Sequence, residues 1–184
     1  MKLSQPRISP LEEPDWTEEE REILKRASLT EIPPNIFKTL VRHKKLLKRW
    51  MVFATHILNK NSLPLRDREL VILRIGYLCQ SGYEWAQHVV IGKQAGITDQ
   101  EIDWIRQGPE ATEWSDFDRA LMLATDELHS DAFISDTTWS DLKKSYSDDQ
   151  MMDLVFTIGN YNLVSMALNT LGVQLEDEIK DIQL

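Results

Sequence analysis

Cysteine is nearly absent: Cys79 is the only one among 184 residues. That count excludes an intramolecular disulfide, a CxxC redox pair and any zinc site built from several cysteines. Glycine and proline are scarce as well, at seven each. So few turn-formers argue against a loop-rich or all-β fold and favour long helices. Sustained strand-like alternation is missing, and no apolar run approaches the ~18 residues of a membrane span. Basic residues are in deficit: 21 Lys and Arg against 30 Asp and Glu give a formal charge of −9. A field of that sign repels nucleic acid, so neither nucleic acid nor a membrane is an expected partner. The stretch Met1 to Pro14 is polar and proline-punctuated, without the apolar core of a signal peptide, and a cytoplasmic location is the expectation.

What is present is helical periodicity. Residues 1–15, with Pro6, Pro10 and Pro14, read as an extended lead-in, and residues 16–184 as a single all-α domain. Thr17 with Glu20, and Thr98 with Glu101, have the spacing of capping boxes. The basic run from Arg42 to Arg49 is interleaved with Leu46, Leu47 and Trp50 and reads as a solvated helix face. A helix is expected from Arg66 to about Gln80, with Gly82 marking a kink or a fresh start and Gly96 the next stop. The last long helix, Gln150 to about Leu171, is apolar nearly all round. Such a helix is buried on more than one side, and in a chain this small part of that burial falls to a second subunit. Six tryptophans point the same way, since aromatics favour interfaces. A homo-oligomer is therefore expected.

The chemistry concentrates in the stretch from Cys79 to His88. Positions three and four apart share a helix face, so Ser81, Glu84 and His88 stack a hydroxyl, a carboxylate and an imidazole in one stripe. A carboxylate and a histidine one turn apart share a proton, and burial moves both toward neutral pH. No metal, nucleotide or other cofactor is required. On spacing alone the pair reads as a structural helix pair, since Glu and His four apart occur by chance in many helices. His56 could line the same pocket or serve as a boundary histidine. His129, with Glu127 and Asp131, fits no metal motif, and no metal site is expected. Asn160, Asn162 and Asn169 interrupt the last helix and need partners if buried.

The segment Leu63-Pro64-Leu65-Arg66-Asp67-Arg68-Glu69-Leu70, followed by Tyr83-Glu84-Trp85-Ala86-Gln87-His88 and Ala95-Gly96-Ile97-Thr98, resembles the carboxymuconolactone decarboxylase family of the alkylhydroperoxidase D-like superfamily. The resemblance covers roughly residues 35–175 and implies an all-α fold and homo-oligomers such as trimers, hexamers or dimers. The peroxidase branch has a glutamate, a CxxC pair and a histidine. By spacing these fall on Glu69, on Ser81 and Glu84, and on His88, with a second histidine of that branch falling on Tyr83. Both thiols are therefore replaced. On a continuous helix Cys79 points about 200° away from Ser81 and does not substitute for either. The decarboxylase branch, which has the glutamate and histidine without CxxC, implies a small carboxylated lactone or related anion as substrate.

The expected function is a cofactor-free acid–base lyase, with His88 as proton donor, Glu84 tuning it and Glu69 at the far end of the relay. Ser81, Tyr83, Arg74 and His56 are candidate substrate contacts. Arg74 and Arg68 could pair with a substrate carboxylate, or with Glu69 or Asp67. Along an unbroken helix Glu69 lies about 18 Å from Ser81 and joins the site only if the chain turns or another subunit supplies it. The alternatives are a non-catalytic small-molecule-binding oligomer and a peroxide-handling antioxidant protein.

Overall fold

The computed structural model describes residues 1–28 and 31–184. Nine α-helices and no strand are present among them: α1 (Glu18–Ala27), α2 (Asn35–Leu40), α3 (Lys44–Asn59), α4 (Leu65–Leu78), α5 (Gly82–Gln94), α6 (Asp99–Gln107), α7 (Asp116–Asp131), α8 (Asp136–Lys143) and α9 (Asp148–Leu171). No helix among the described residues is long and apolar enough to cross a membrane. The lead-in holds one 3-10 turn at Glu13–Asp15 and lies along the body, with Arg7 N donating to Leu171 O and Leu11 N to Lys38 O. The capping boxes at Thr17 and Thr98 form with both hydrogen bonds, and a third forms at Ser147 with Gln150.

The fold is organised around α4. It packs against α5, α7 and α9, and every residue from Arg68 to Gly76 is buried. In the structure its polar side chains Arg68, Glu69 and Arg74 have no solvent-facing side to occupy. Buried charges are tolerated only when paired, so each of the three needs a partner inside the protein.

A sharp corner ends α4. Cys79 is its C-cap, Gln80 adopts the left-handed conformation at φ +52°, and Ser81 N donates back to Gly76 O at 2.9 Å. With Gln80 N donating to Tyr77 O at 2.9 Å, this is a Schellman motif with glutamine where glycine is usual. The amides of α9 hold the corner: Asn169 Nδ2 donates to Cys79 O at 2.9 Å, and Asn162 Oδ1 accepts from the Cys79 thiol at 3.0 Å. Asn160 Oδ1 accepts from Trp50 Nε1 at 3.2 Å. Gly82 therefore opens a new helix rather than kinking an old one. Cys79 and Ser81 belong to different helices, so the angle expected between them on one helix does not apply.

Candidate active site

The corner folds α5 back along α4 and brings His88 against Glu69, nineteen residues earlier. Two carboxylates grip the imidazole: Nδ1 lies 2.6 Å from Glu69 Oε2, and Nε2 lies 3.0 Å from Glu84 Oε1. Ionised carboxylates only accept, so both ring nitrogens donate and His88 is an imidazolium. Behind it, Arg68 donates to Glu69 Oε1 from Nε at 3.1 Å and Nη2 at 3.0 Å, and its Nη1 donates to Leu58 O. The exposures are 0% for Glu69, 4% for Glu84, 5% for His88 and 8% for Arg68. Two negative and two positive groups make a buried cluster with no net charge. The Tyr161 ring of α9 meets the His88 ring edge-on at 4.9 Å.

Burial by itself lowers the affinity of His88 for its proton, but the facing charges of Glu69 and Glu84 outweigh it and push the imidazole up to about 10. Burial likewise acts to raise Glu69, and is overcome by His88 and Arg68, which hold its carboxyl below the usual carboxylate value. Burial pushes the Tyr161 phenol well above its ordinary value. The arrangement stores one proton between two carboxylates and fixes both the orientation and the hydrogen bonds of the ring that carries it.

The remaining candidate residues are dispersed. Ser81 is the N-cap of α5 without a cap hydrogen bond, and its Oγ is buried and makes no hydrogen bond. The Tyr83 hydroxyl donates to Glu176 Oε1 at 2.7 Å and accepts from Ile36 N at 3.2 Å, tying the chain after α9 to the start of α2. Arg74 points away from the cluster and toward α7. Its Nε and Nη2 grip Asp126 at 2.7 Å each, and its Nη1 donates to Ile105 O and Arg106 O. That fork has no group to spare for a substrate. It pairs with neither Glu69 nor Asp67; Arg68 takes Glu69, and Asp67 accepts from the Tyr146 hydroxyl. His56 is half-exposed on α3 and bonds Asp153 at 2.8 Å. Tyr161 escapes sequence reasoning, because nothing local marks which helices face the histidine, whereas the Arg68–Glu69 pair is one of the alternatives the sequence leaves open for that arginine.

No group of three or more metal-ligating side chains converges in a metal-holding geometry among the described residues. Glu69 and Glu84 bind opposite nitrogens of one ring, and Glu127 is spent on Ser135 and Thr138. Four surface grooves of roughly 190 to 650 Å³ are lined by other residues than Glu69, Glu84 and His88.

No curated protein matches the sequence. Solved structures share the fold. An uncharacterized peroxidase-related protein from Ralstonia eutropha, described as an alkylhydroperoxidase AhpD core, superposes with a TM-score of 0.81 at 18% identity, covering 96% of this chain and 96% of that one. An uncharacterized peroxidase-related protein from Silicibacter follows at 0.78 and 14%, covering 98% and 94%. The debrominase Bmp8 bound to 2,3,4-tribromopyrrole superposes at 0.76 and 12%, covering 95% and 94%. Identities this low establish likeness of fold only. The family model for carboxymuconolactone decarboxylase matches residues 44–127, from the first residue of α3 into α7, a stretch that contains Glu69, Ser81, Glu84 and His88. The match spans somewhat under half of the chain, and over that stretch the sequence is similar to the carboxymuconolactone decarboxylase family.

Proposed function

We propose that this protein is an enzyme that delivers a proton to a small organic molecule, acting as a cofactor-free lyase on a carboxylated lactone or a related anion. The observation that carries the reading is the His88 imidazolium held between Glu69 and Glu84 in a buried cluster without net charge. When carbon dioxide leaves, the electron pair of the broken carbon–carbon bond stays on the substrate and needs a proton. His88 releases its Nε2 proton toward Glu84, and Glu84 passes it outward to that carbon. Glu69, braced by Arg68, holds the ring in place and stabilises its charged form when the proton is restored from solvent. Arg68, Arg74 and both ring nitrogens of His88 are committed to other partners, so an anionic substrate is met by the first turn of α5, where Ser81 Oγ has no hydrogen bond. The debrominase complex shows a relative in fold bound to a small ring compound.

One observation favours a second reading, a small-molecule-binding protein without turnover: none of those four grooves is lined by the histidine or its two carboxylates. A thiol peroxidase has less support. Burial pushes the Cys79 thiol up, and its hydrogen is given to Asn162.

A panel of carboxylated lactones, followed by mass spectrometry for loss of carbon dioxide and by thermal shift for binding, separates these readings. Turnover by the native chain, lowered about 10²–10⁴-fold in His88→Ala and kept in Cys79→Ser, is the expected result. Ligand-dependent melting without product selects the binding reading. Full turnover by His88→Ala overturns the acid–base assignment.

A further inference from the structure

Between Met151 and Asn169 the exposed positions of α9 are Met152, Phe156, Gly159, Leu163 and Met166. The four large side chains are each more than half exposed, at 54%, 57%, 53% and 56%. With Gly159 the five positions recur at alternating steps of four and three, the narrow seam of a helix that packs on another helix. Yet this seam faces away from the subunit's own core, which takes the opposite side of α9 through Leu154, Ile158, Tyr161 and Leu168. No charged residue occurs from Leu154 to Leu175. Phe53 of α3 extends the patch, packing edge-on against Phe156 at 6.0 Å. Beside Leu163 lies a groove of roughly 190 Å³ lined entirely by apolar residues, among them Leu46 and Trp50.

Gly159 sits at the middle of the seam. A Cβ placed there meets nothing within 4 Å, so alanine would fit the subunit, and the backbone does not need glycine's freedom. Glycine inside a helix is destabilising relative to alanine. The subunit's own packing offers no reason to keep it, whereas a second helix crossing at that point does, because close approach of two helix axes needs a small residue at the crossing.

We propose that α9 packs antiparallel against α9 of a second copy of this chain, about a two-fold axis at Gly159. A two-fold interface must be complementary to itself. This one is: Met152 and Met166 lie seven residues either side of Gly159, and Phe156 and Leu163 lie three before and four after it. The pairing sets Met152 against the partner's Met166 and Phe156 against the partner's Leu163, with the Phe156 ring seated at the mouth of the partner's apolar groove. Charge selects the same occupant. Two copies at −9 repel each other, and the contact that costs least is the uncharged one. A basic partner would gain nothing from this face.

The test uses the full chain. Light scattering at micromolar concentration is expected to give a dimer or another even-numbered assembly. Phe156→Glu and Leu163→Lys are expected to give monomers that keep their helical circular dichroism, since both positions are exposed in the subunit. Geometry is read by cross-linking in a Cys79→Ser background. Met152→Cys and Met166→Cys are expected to oxidise to a covalent dimer only when mixed. A monomeric native chain, an unchanged mass for Phe156→Glu, or self-cross-linking of Met152→Cys as strong as that of the Met152→Cys and Met166→Cys mixture overturns the proposal.

Discussion

Gly76 of α4 lies directly against Glu84 of α5: a Cβ on Gly76 would sit 3.5 Å from the Glu84 Cγ. At the other end of the hairpin, a Cβ on Gly92 would meet the Leu73 and Ile97 methyls at 3.2 Å and the Glu69 Cβ at 3.9 Å. These two small residues set the gap between the helices. The 2.6 Å bond from His88 to Glu69 depends on that gap, because both side chains are short and neither helix can slide once the corner at Gln80 is made.

Substitution at Gly76 should therefore separate helix propensity from helix spacing. Alanine makes ordinary van der Waals contact there and gains about 1 kcal/mol of helix propensity, so Gly76→Ala is expected to melt no lower than the native chain. Gly76→Leu must push α5 away at a cost of about 1–3 kcal/mol. It should also lengthen the contacts of Glu84 and lower the His88 pKa. Calorimetry and imidazole NMR titration read the two effects. A leucine variant with native melting and a native His88 titration would show that the spacing is not set here.

The helices themselves are written locally. Thr17, Thr98 and Ser147 each stand three residues before the glutamate or glutamine that completes their capping box, and all three boxes form. The corner after α4 is not written locally. A non-glycine residue in the left-handed region costs roughly 1–2 kcal/mol, and glutamine carries no special tolerance for it. The visible marker is Gly82, two residues too late. Without the corner, Glu69 cannot be placed next to His88, and the stripe from Ser81 to His88 stands alone. Partner choice among the buried charges is equally hidden. Arg68 and Arg74 lie on one helix, but Arg74 is drawn to Asp126 on α7, fifty-two residues on. Only the packing of α7 across α4 decides that.

The buried imidazolium makes stability depend on pH in a defined sense. His88 is raised from 6.5 to about 10 on folding, so its contribution is complete below about pH 6.5 and is lost as pH climbs toward 10. Glu69 is lowered from 4.5, so its contribution is present above that value and lost on acidification. Melting temperature followed from acid to alkaline pH should thus fall on both sides of a plateau near pH 5 to 6. In His88→Gln the alkaline fall between pH 6.5 and 10 should be clearly shallower. Equal alkaline slopes in the two proteins would contradict an imidazolium held at this position.

Arg74 is expected to act on folding and not on ligand binding. Breaking a buried ion pair costs about 3–5 kcal/mol, and the partial exposure of Asp126 places Arg74→Ala at or below about 3 kcal/mol. Arg74→Lys should recover little, since one ammonium cannot replace a fork that serves a carboxylate and two carbonyls. Denaturant unfolding measures the loss, and the Kd of any carboxylated ligand should be the same in native and variant chains. A weakened Kd with native unfolding would instead put Arg74 in the binding site.

Gly159→Ala gives opposite signs in the isolated subunit and in the pair. In a monomeric Phe156→Glu background the added methyl meets open space, and helix propensity alone should raise stability by about 1 kcal/mol. In the native background the same methyl stands between two helices that cross at that residue. It forces the axes apart, strips contact from Phe156 and Leu163, and should raise the dimer dissociation constant. Thermal melting of the first pair of proteins and sedimentation equilibrium of the second supply the two readings. If alanine tightens the assembly, the glycine does not lie at the crossing, and the helices meet elsewhere along α9.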